Sequence, residues 1–159
     1  MSFKKRRAER LIEDGNLFAM QGKIEDAMTC YSESIKHYPT AEAYTYLGWM
    51  FSFLGQVDDA IDLCKQAILI DSDYGNPYND IGSYLMIKGK SEEAIDWLER
   101  AKAARRYEPR HFPFINLGRI YMEKGEYKKA VTEFQEALRL DPGNEEVEEI
   151  LHELNKKAA

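Results

Sequence analysis

Histidine and cysteine, the residues that most often carry chemistry, are few and scattered in this chain. His37, His111 and His152 are isolated in the sequence, so no spacing typical of metal ligands emerges. Cys30 and Cys64 occupy apolar positions of helical patterns, where cysteine behaves as a small hydrophobic residue. No nucleophile stands beside a base in a catalytic pattern. These residues predict no catalytic site and no metal site, and we expect that the protein is not an enzyme.

Signatures of nucleotide and cofactor binding do not stand out either. The glycines end predicted helices or lie inside them, and no Gly-rich loop leads from a strand into a helix. Acidic pairs such as Asp58-Asp59 stand at predicted helix starts, where the helix dipole accounts for them. We therefore expect no cofactor and no small-molecule substrate.

Composition narrows the class of protein further. Because 44% of the 159 residues are hydrophobic, the chain is too apolar to be disordered, and its formal net charge of −6 disfavours nucleic-acid binding. No apolar run approaches the roughly 18–20 residues that span a bilayer, so we expect no transmembrane segment. The basic start, Lys4-Lys5-Arg6-Arg7, lacks the apolar stretch of a signal peptide, which predicts a cytoplasmic protein. We interpret this start as a solvated tail, with contact to an anionic partner as the alternative.

The glycines reveal how the chain is organised. Eight of the ten glycines form four pairs, and the two members of each pair lie seven residues apart. The pairs are Gly15 and Gly22, Gly48 and Gly55, Gly82 and Gly89, and Gly118 and Gly125. An alanine follows five residues after each second glycine. Four matching units indicate an internal repeat.

Each unit has the pattern of two helices joined by a turn. Apolar residues lie four before and three after each first glycine, which places them on one helical stripe. The second glycine then ends that helix, because glycine accepts the left-handed conformation of a helix C-cap. A second apolar stripe follows, for example Val57, Ala60 and Cys64. The first glycine lies inside a helix, which predicts a close approach of the two helices, with Gly48 facing Ala60.

This order of residues resembles the tetratricopeptide repeat. The fourth unit is nearest to the repeat pattern, with Phe114, Leu117, Gly118, Tyr121, Gly125, Ala130, Phe134, Ala137 and Pro142. The resemblance implies an all-α fold, a right-handed α-solenoid of helix-turn-helix repeats in a single domain. We expect repeats at about 8–40, 41–74, 75–110 and 111–144. It also implies a non-catalytic role in protein–protein interaction.

Departures from the pattern predict local differences. Asp14 replaces an apolar residue of the first stripe, so the first helix is expected at an exposed edge of the array. The third unit is longer, and Pro109 comes later than the closing proline of the pattern, which predicts either a longer second helix or a looser turn.

After residue 144, Val147, Leu151 and Leu154 fall at helical spacing. They predict a capping helix over residues 145–155 that covers the last repeat.

The side of the first helices opposite the core stripe is the candidate binding surface. In the family that the chain resembles, first helices line a concave groove that binds peptides. On the matching positions we predict contacts from Asn16, Tyr46, Trp49, Phe53, Asn79, Asp80, Ser83, Asn116 and Arg119. Exposed aromatic residues and arginine dominate many binding energies, and amides can hydrogen-bond a peptide backbone. For other residues on this side, such as Ser52 and Met122, packing between neighbouring first helices is the favoured interpretation.

The known family clamp for acidic chaperone tails matches this chain poorly. Asn16 agrees with the clamp, but Ile12, Tyr46, Asn76 and Asp80 stand where Lys, Asn, Lys and Arg are wanted. The expected function is therefore an adaptor or co-chaperone that binds a protein or peptide segment in the groove by other contacts. Two alternatives stay open: a structural subunit that self-associates through the ends of the array, and a small secretion-type chaperone.

Overall fold

The computed structural model describes residues 1–158, and within them it contains nine α-helices and no strand. The helices are α1 (Phe3–Met20), α2 (Ile24–His37), α3 (Ala41–Phe53), α4 (Val57–Ile70), α5 (Asn76–Ile87), α6 (Ser91–Ala103), α7 (Phe112–Glu123), α8 (Tyr127–Leu140) and α9 (Glu145–Ala158). The odd-numbered helices α1 to α7 each pack against the helix that follows, and α3, α5 and α7 also contact one another in order. The prediction of an all-α repeat fold is confirmed.

The mid-helix glycines allow the two helices of each pair to approach closely. A Cβ atom at Gly48 would lie 3.0 Å from the backbone oxygen of Ala60, as the sequence predicted. In the other pairs the facing residue is larger, and a Cβ at Gly118 would lie 2.7 Å from the Phe134 ring. A buried alanine four residues before Phe134, Ala130, lies in the same packed cluster. The surfaces where these helices meet, here called the glycine seams, are therefore fully packed.

The second glycine of each pair stops the first helix. All four have a positive φ, for example 75° at Gly55, in the left-handed region that side chains other than glycine rarely adopt. A Cβ at Gly55 would meet no atom within 4 Å, so backbone conformation alone selects glycine there. The predicted helix stop is confirmed.

The long third unit ends in a loop and not in a longer helix. Helix α6 has 13 residues, against 14 in α2, α4 and α8, and residues 104–111 connect it to α7. The loop pairs with the segment after α4, because the Gly75 N–H donates to the Arg106 carbonyl at 2.9 Å. The Arg106 N–H donates in turn to the Asp73 carbonyl at 2.9 Å. Of the two expected arrangements, the structure has the looser turn.

Helix α9 covers the apolar side of α8. Val147, Leu151 and Leu154 are buried in one cluster with Phe134 and Ala137. The helix continues to Ala158, beyond the expected end at residue 155. At the other end of the array, α1 has few buried residues, and Asp14 is exposed as its polar character predicted.

Candidate functional site

Two aromatic side chains on α3 form the most exposed part of the predicted groove. Trp49 is 44% exposed and Phe53 is 58% exposed, although both are large and apolar. They lie one helical turn apart, and their ring centroids are separated by 5.2 Å. Together they form an apolar surface of the kind that contributes most to protein binding.

Asn16 and Tyr46 are held from within the array. The Tyr31 hydroxyl of α2 donates to the Asn16 side-chain oxygen at 2.7 Å, so this amide oxygen is already engaged. The Tyr46 ring lies 5.6 Å from the Tyr31 ring, centroid to centroid. Burial raises the pKa of Tyr31 to about 12, with a smaller contribution from Tyr46.

The two predicted asparagines of α5 and α7 bind each other. The Asn116 amide nitrogen donates to the Asn79 side-chain oxygen at 3.0 Å. Asn79 is only 7% exposed, whereas Asn116 is half-buried. Asn79 therefore has little surface for a ligand, and the structure places it where it positions Asn116 and joins α5 to α7.

Arg119 and Ser83 occupy the same register position as Trp49 on the neighbouring helices. The Arg119 guanidinium donates to Glu146 of α9 at 2.6 Å, and its side chain is 43% exposed. Ser83 is half-buried. The sequence pattern did not predict that Glu146 is the partner of Arg119, because Glu146 lies 27 residues away on the capping helix. A ligand carboxylate would have to compete with Glu146.

Asp80 is a half-buried carboxyl group on the groove side of α5. Burial raises the pKa of Asp80 to about 7, and no cation opposes this effect. Its negative charge in turn contributes to the raised pKa values of Tyr74, Tyr84 and Tyr107. Among residues 1–158, no lysine or arginine forms an ion pair with Asp80. The groove thus contains an acid without a cationic partner.

A charged cluster that the sequence did not reveal lies beside the first turn of α3. Arg106 of the loop after α6 pairs with Glu42 at 2.8 Å and with Asp71 at 2.6 Å. The Arg106 hydrogen bond is the main reason that the pKa of Asp71 is lowered. These residues and Tyr46 line part of an open groove of about 550 Å³. The chain itself thus supplies both carboxylates that pair with Arg106.

Between residues 1 and 158 there is no group of three or more His, Cys, Asp or Glu side chains that could hold a metal ion. None of the helices described in that range is long and apolar enough to cross a membrane. Gly89-Lys90-Ser91 matches the end of a phosphate-binding loop, but Tyr84 stands where the loop needs its first glycine, and α5 precedes it.

The fold and this surface define a helix-turn-helix repeat protein with an open groove along its first helices. Three family models described as tetratricopeptide repeat match residues 13–77, 76–107 and 112–144. The chain belongs to the tetratricopeptide repeat family.

Curated relatives match this chain over a small part of their own length. Small glutamine-rich tetratricopeptide repeat-containing protein 2 of Mycosarcoma maydis is 33% identical over 91 residues, which are 57% of this chain and 26% of the relative. Tetratricopeptide repeat protein 16 of Homo sapiens is 24% identical over 151 residues, 87% of this chain and 17% of the relative. The chain therefore spans about a quarter or less of the length of these relatives.

Solved structures share the fold over the whole chain or part of it. The structure of pilF from Pseudomonas aeruginosa superposes with a TM-score of 0.91 and 23% identity, covering 99% of this chain and 71% of that one. The second TPR of Spaghetti (RPAP3), bound to the HSP90 peptide SRMEEVD, gives a TM-score of 0.59 and 27% identity. That match covers 63% of this chain and 94% of the other.

Proposed function

We propose that the protein is a non-catalytic adaptor that binds a segment of a partner protein in the groove of its first helices. The exposed Trp49–Phe53 pair carries this proposal, because large aromatic side chains at this exposure form an apolar surface that a partner can cover. Membership of the tetratricopeptide repeat family supports it. The relative with a bound HSP90 peptide also supports binding of a peptide by this kind of fold.

A co-chaperone role is compatible with the proposal, but not through the clamp for acidic tails. That clamp needs cations, and Ile12, Asn76 and Asp80 occupy the positions of three of them. Arg119 and Arg106, which lie near the groove, are already paired with carboxylates of the chain. The partner segment is therefore expected to be recognised mainly through its apolar side chains.

The test compares partner capture by matched variants. Trp49→Ala/Phe53→Ala removes the aromatic pair, and Leu69→Ala removes a 78% exposed apolar side chain from α4. Quantitative mass spectrometry of cross-linked complexes should show partners that the double variant loses by roughly 10-fold and the Leu69→Ala variant keeps. Circular dichroism checks that all variants remain helical. Equal capture by the double variant and the unaltered protein would refute the groove function.

Self-association through the array ends is the second candidate function. The exposed start of α1 carries Lys4, Arg6 and Arg7, and the exposed start of α9 carries acidic residues such as Glu145 and Glu149. Opposite charges at the two ends favour head-to-tail contact between copies. Sedimentation velocity should then show mass that rises with protein concentration and falls with added salt; a constant monomer mass would exclude it. Location in the cytoplasm stays a prediction from the sequence.

A further inference from the structure

The outer side of α1 is not covered by any helix among the described residues 1–158. Most exposed side chains of α1 fall on this one side, because successive residues of a helix turn by about 100°. We call it the outer face of α1, and it consists of Phe3, Arg6, Arg7, Arg10, Glu13, Asp14 and Leu17. All of these except Leu17 line one open depression of about 660 Å³.

In the other repeats a second helix covers the equivalent positions. Counted from the mid-helix glycine, Leu17 corresponds to Met50, Tyr84 and Ile120, which are at most 5% exposed. Met50, for example, lies in one packed cluster with Ala27 of α2. Leu17 is 58% exposed, because no second helix precedes α1 in the described residues. The outer face therefore lies where every later repeat receives a helix.

Helix α1 also extends further at its start than the other first helices. It begins twelve residues before its mid-helix glycine, whereas α3 begins seven before. The Ser2 hydroxyl caps the extension by accepting from the Lys5 N–H at 3.2 Å. The extension carries the basic run Lys4-Lys5-Arg6-Arg7. Positive charge near a helix N-terminus is unfavourable, so the stability of α1 itself does not account for this run.

The outer face is arranged in three rows. Residues seven apart return to nearly the same side of a helix. The rows are Phe3, Arg10 and Leu17 in the centre, Arg6 and Glu13 on one edge, and Arg7 and Asp14 on the other. Each edge thus has a cation towards the start of the helix and an anion towards its end.

The charges on both edges are available to a partner. Within the described residues 1–158, no charged side chain of the outer face forms an ion pair. Arg6 donates to the backbone carbonyl of Met1 at 2.9 Å. Arg7 lies near Glu33 of α2, but Glu33 pairs with Lys36 at 2.7 Å.

This arrangement is complementary to itself when two copies of α1 pack antiparallel. A two-fold axis at Arg10 places the same edge of both helices side by side and reverses their direction. Each cation then faces an anion of the second copy, and apolar residues face each other: Arg6 with Glu13, Arg7 with Asp14, and Phe3 with Leu17. Every contact occurs twice. The two Arg10 side chains meet at the axis, each within about one helical turn of both acidic residues of the other copy.

The outer side of α9 offers no such match for the apolar residues of α1. Val147, Leu151 and Leu154 of α9 are buried in the cluster with α8. The exposed residues of α9 up to position 157 are all polar or charged. A head-to-tail contact between α1 and α9 would therefore leave Phe3 and Leu17 without an apolar partner, whereas a second α1 covers both.

We propose that two copies of the chain form a two-fold dimer through the outer faces of α1, packed antiparallel. The inference rests on self-association, the second candidate function, and names its surface and symmetry. A two-fold contact closes after two chains, whereas head-to-tail contact continues to add copies. The groove lies on another side of α1 and stays open in each copy.

Two charge-reversed variants test the inference. Arg6→Glu/Arg7→Glu makes both edges acidic, and Glu13→Lys/Asp14→Lys makes both edges basic. Each variant alone should dimerise at least roughly 10-fold more weakly than the unaltered protein, because like charges then face each other. An equimolar mixture should form a heterodimer, since every pair is again of opposite charge. Circular dichroism checks that both variants remain helical.

Sedimentation velocity gives the mass of each sample. Concentrations up to about 100 μM are needed, because a single pair of helices makes a small interface. The unaltered protein should reach the mass of two chains and no more. Glu148→Lys/Glu149→Lys is the matched control, since it reverses two neighbouring exposed acids on α9 and should leave the dimer intact.

The outcomes separate this inference from self-association in general. If the unaltered protein dimerises but the mixed variants do not, the α1 interface is wrong. Growth beyond two chains that Glu148→Lys/Glu149→Lys abolishes would overturn the two-fold dimer and support head-to-tail association instead. A constant monomer mass would exclude both. The groove function is decided separately, by the capture experiment with Trp49→Ala/Phe53→Ala.

Discussion

The glycine seams and the groove use the same four first helices in opposite ways. In the seams every small residue faces a close neighbour, as Gly48 faces Ala60 and Gly118 faces Phe134. In the groove, large apolar side chains such as Trp49 are exposed, and the carboxyl group of Asp80 has no cation beside it. One face of each helix thus contributes stability, whereas the other keeps apolar surface and charge available.

This difference shows which side of the first helices keeps features that lower the stability of the folded chain. A partly buried acid without a partner destabilises the folded chain, and a tryptophan that is 44% exposed contributes less buried apolar area than one in the core. Such features are common at functional surfaces, where stability is lower than it could be. The contrast can be tested by changing one residue at a time and measuring unfolding.

The largest change in the free energy of unfolding is expected for a substitution in a glycine seam. Gly48→Leu should lower the free energy of unfolding by about 3 kcal/mol, because the added Cβ meets the Ala60 backbone oxygen and the rest of the side chain has no space. Chemical denaturation measures the change. Gln66→Leu, at an exposed position on α4, is the control and should change stability by less than about 0.5 kcal/mol. Unchanged stability of Gly48→Leu would show that the seam is not closely packed.

Replacement of Asp80 by asparagine is expected to raise the free energy of unfolding. Burial raises the pKa of this group from its ordinary value of 3.8 to about 7 in the folded chain. Between these values the folded state holds a proton that the unfolded state has lost, so stability falls as pH rises through this window and levels off above it. Asp80→Asn should therefore stabilise the protein by about 2 kcal/mol at about pH 8 and have little effect at about pH 4.

Denaturation at several pH values checks the Asp80 prediction. Asp62→Asn is the matched control, since it removes an exposed carboxylate on α4 and should leave the pH dependence unchanged. A gain in stability that is the same at both pH values would contradict the assignment of the effect to ionisation of Asp80.

The smallest effect is expected for the exposed aromatic residue of the groove. Trp49→Ala should change the free energy of unfolding by less than about 0.5 kcal/mol, because its side chain is 44% exposed and its packing partner Phe53 is exposed too. A thermal unfolding scan measures this. A loss of about 2 kcal/mol or more would assign Trp49 to the core and weaken the contrast between seam and groove.

The repeat register could be predicted from the sequence because its signals are local. The glycines at positive φ, such as Gly55, and the glycines inside apolar stripes, such as Gly48, both recur at a fixed spacing in the sequence. The position of a residue on its helix follows from that register. Trp49 and Phe53 could therefore be assigned to one exposed surface before any contact was known.

The partners of the groove residues could not be predicted, because they come from distant parts of the chain. Arg119 binds Glu146 of α9, and Asn16 binds Tyr31 of the following helix. The raised pKa of Asp80 arises from its burial in the folded array. No spacing along the sequence contains this information.

The loop after α6 affects how the repeats of the array unfold. In a simple solenoid each repeat contacts its neighbours through helix packing alone, and its ends can fray one repeat at a time. Here Arg106 reaches back to Glu42 and Asp71, and its backbone pairs with Asp73 and Gly75. We therefore expect helices α3 to α6 to open as one cooperative block. Their amide hydrogens should exchange with solvent together, while those of α1 and α9 exchange independently.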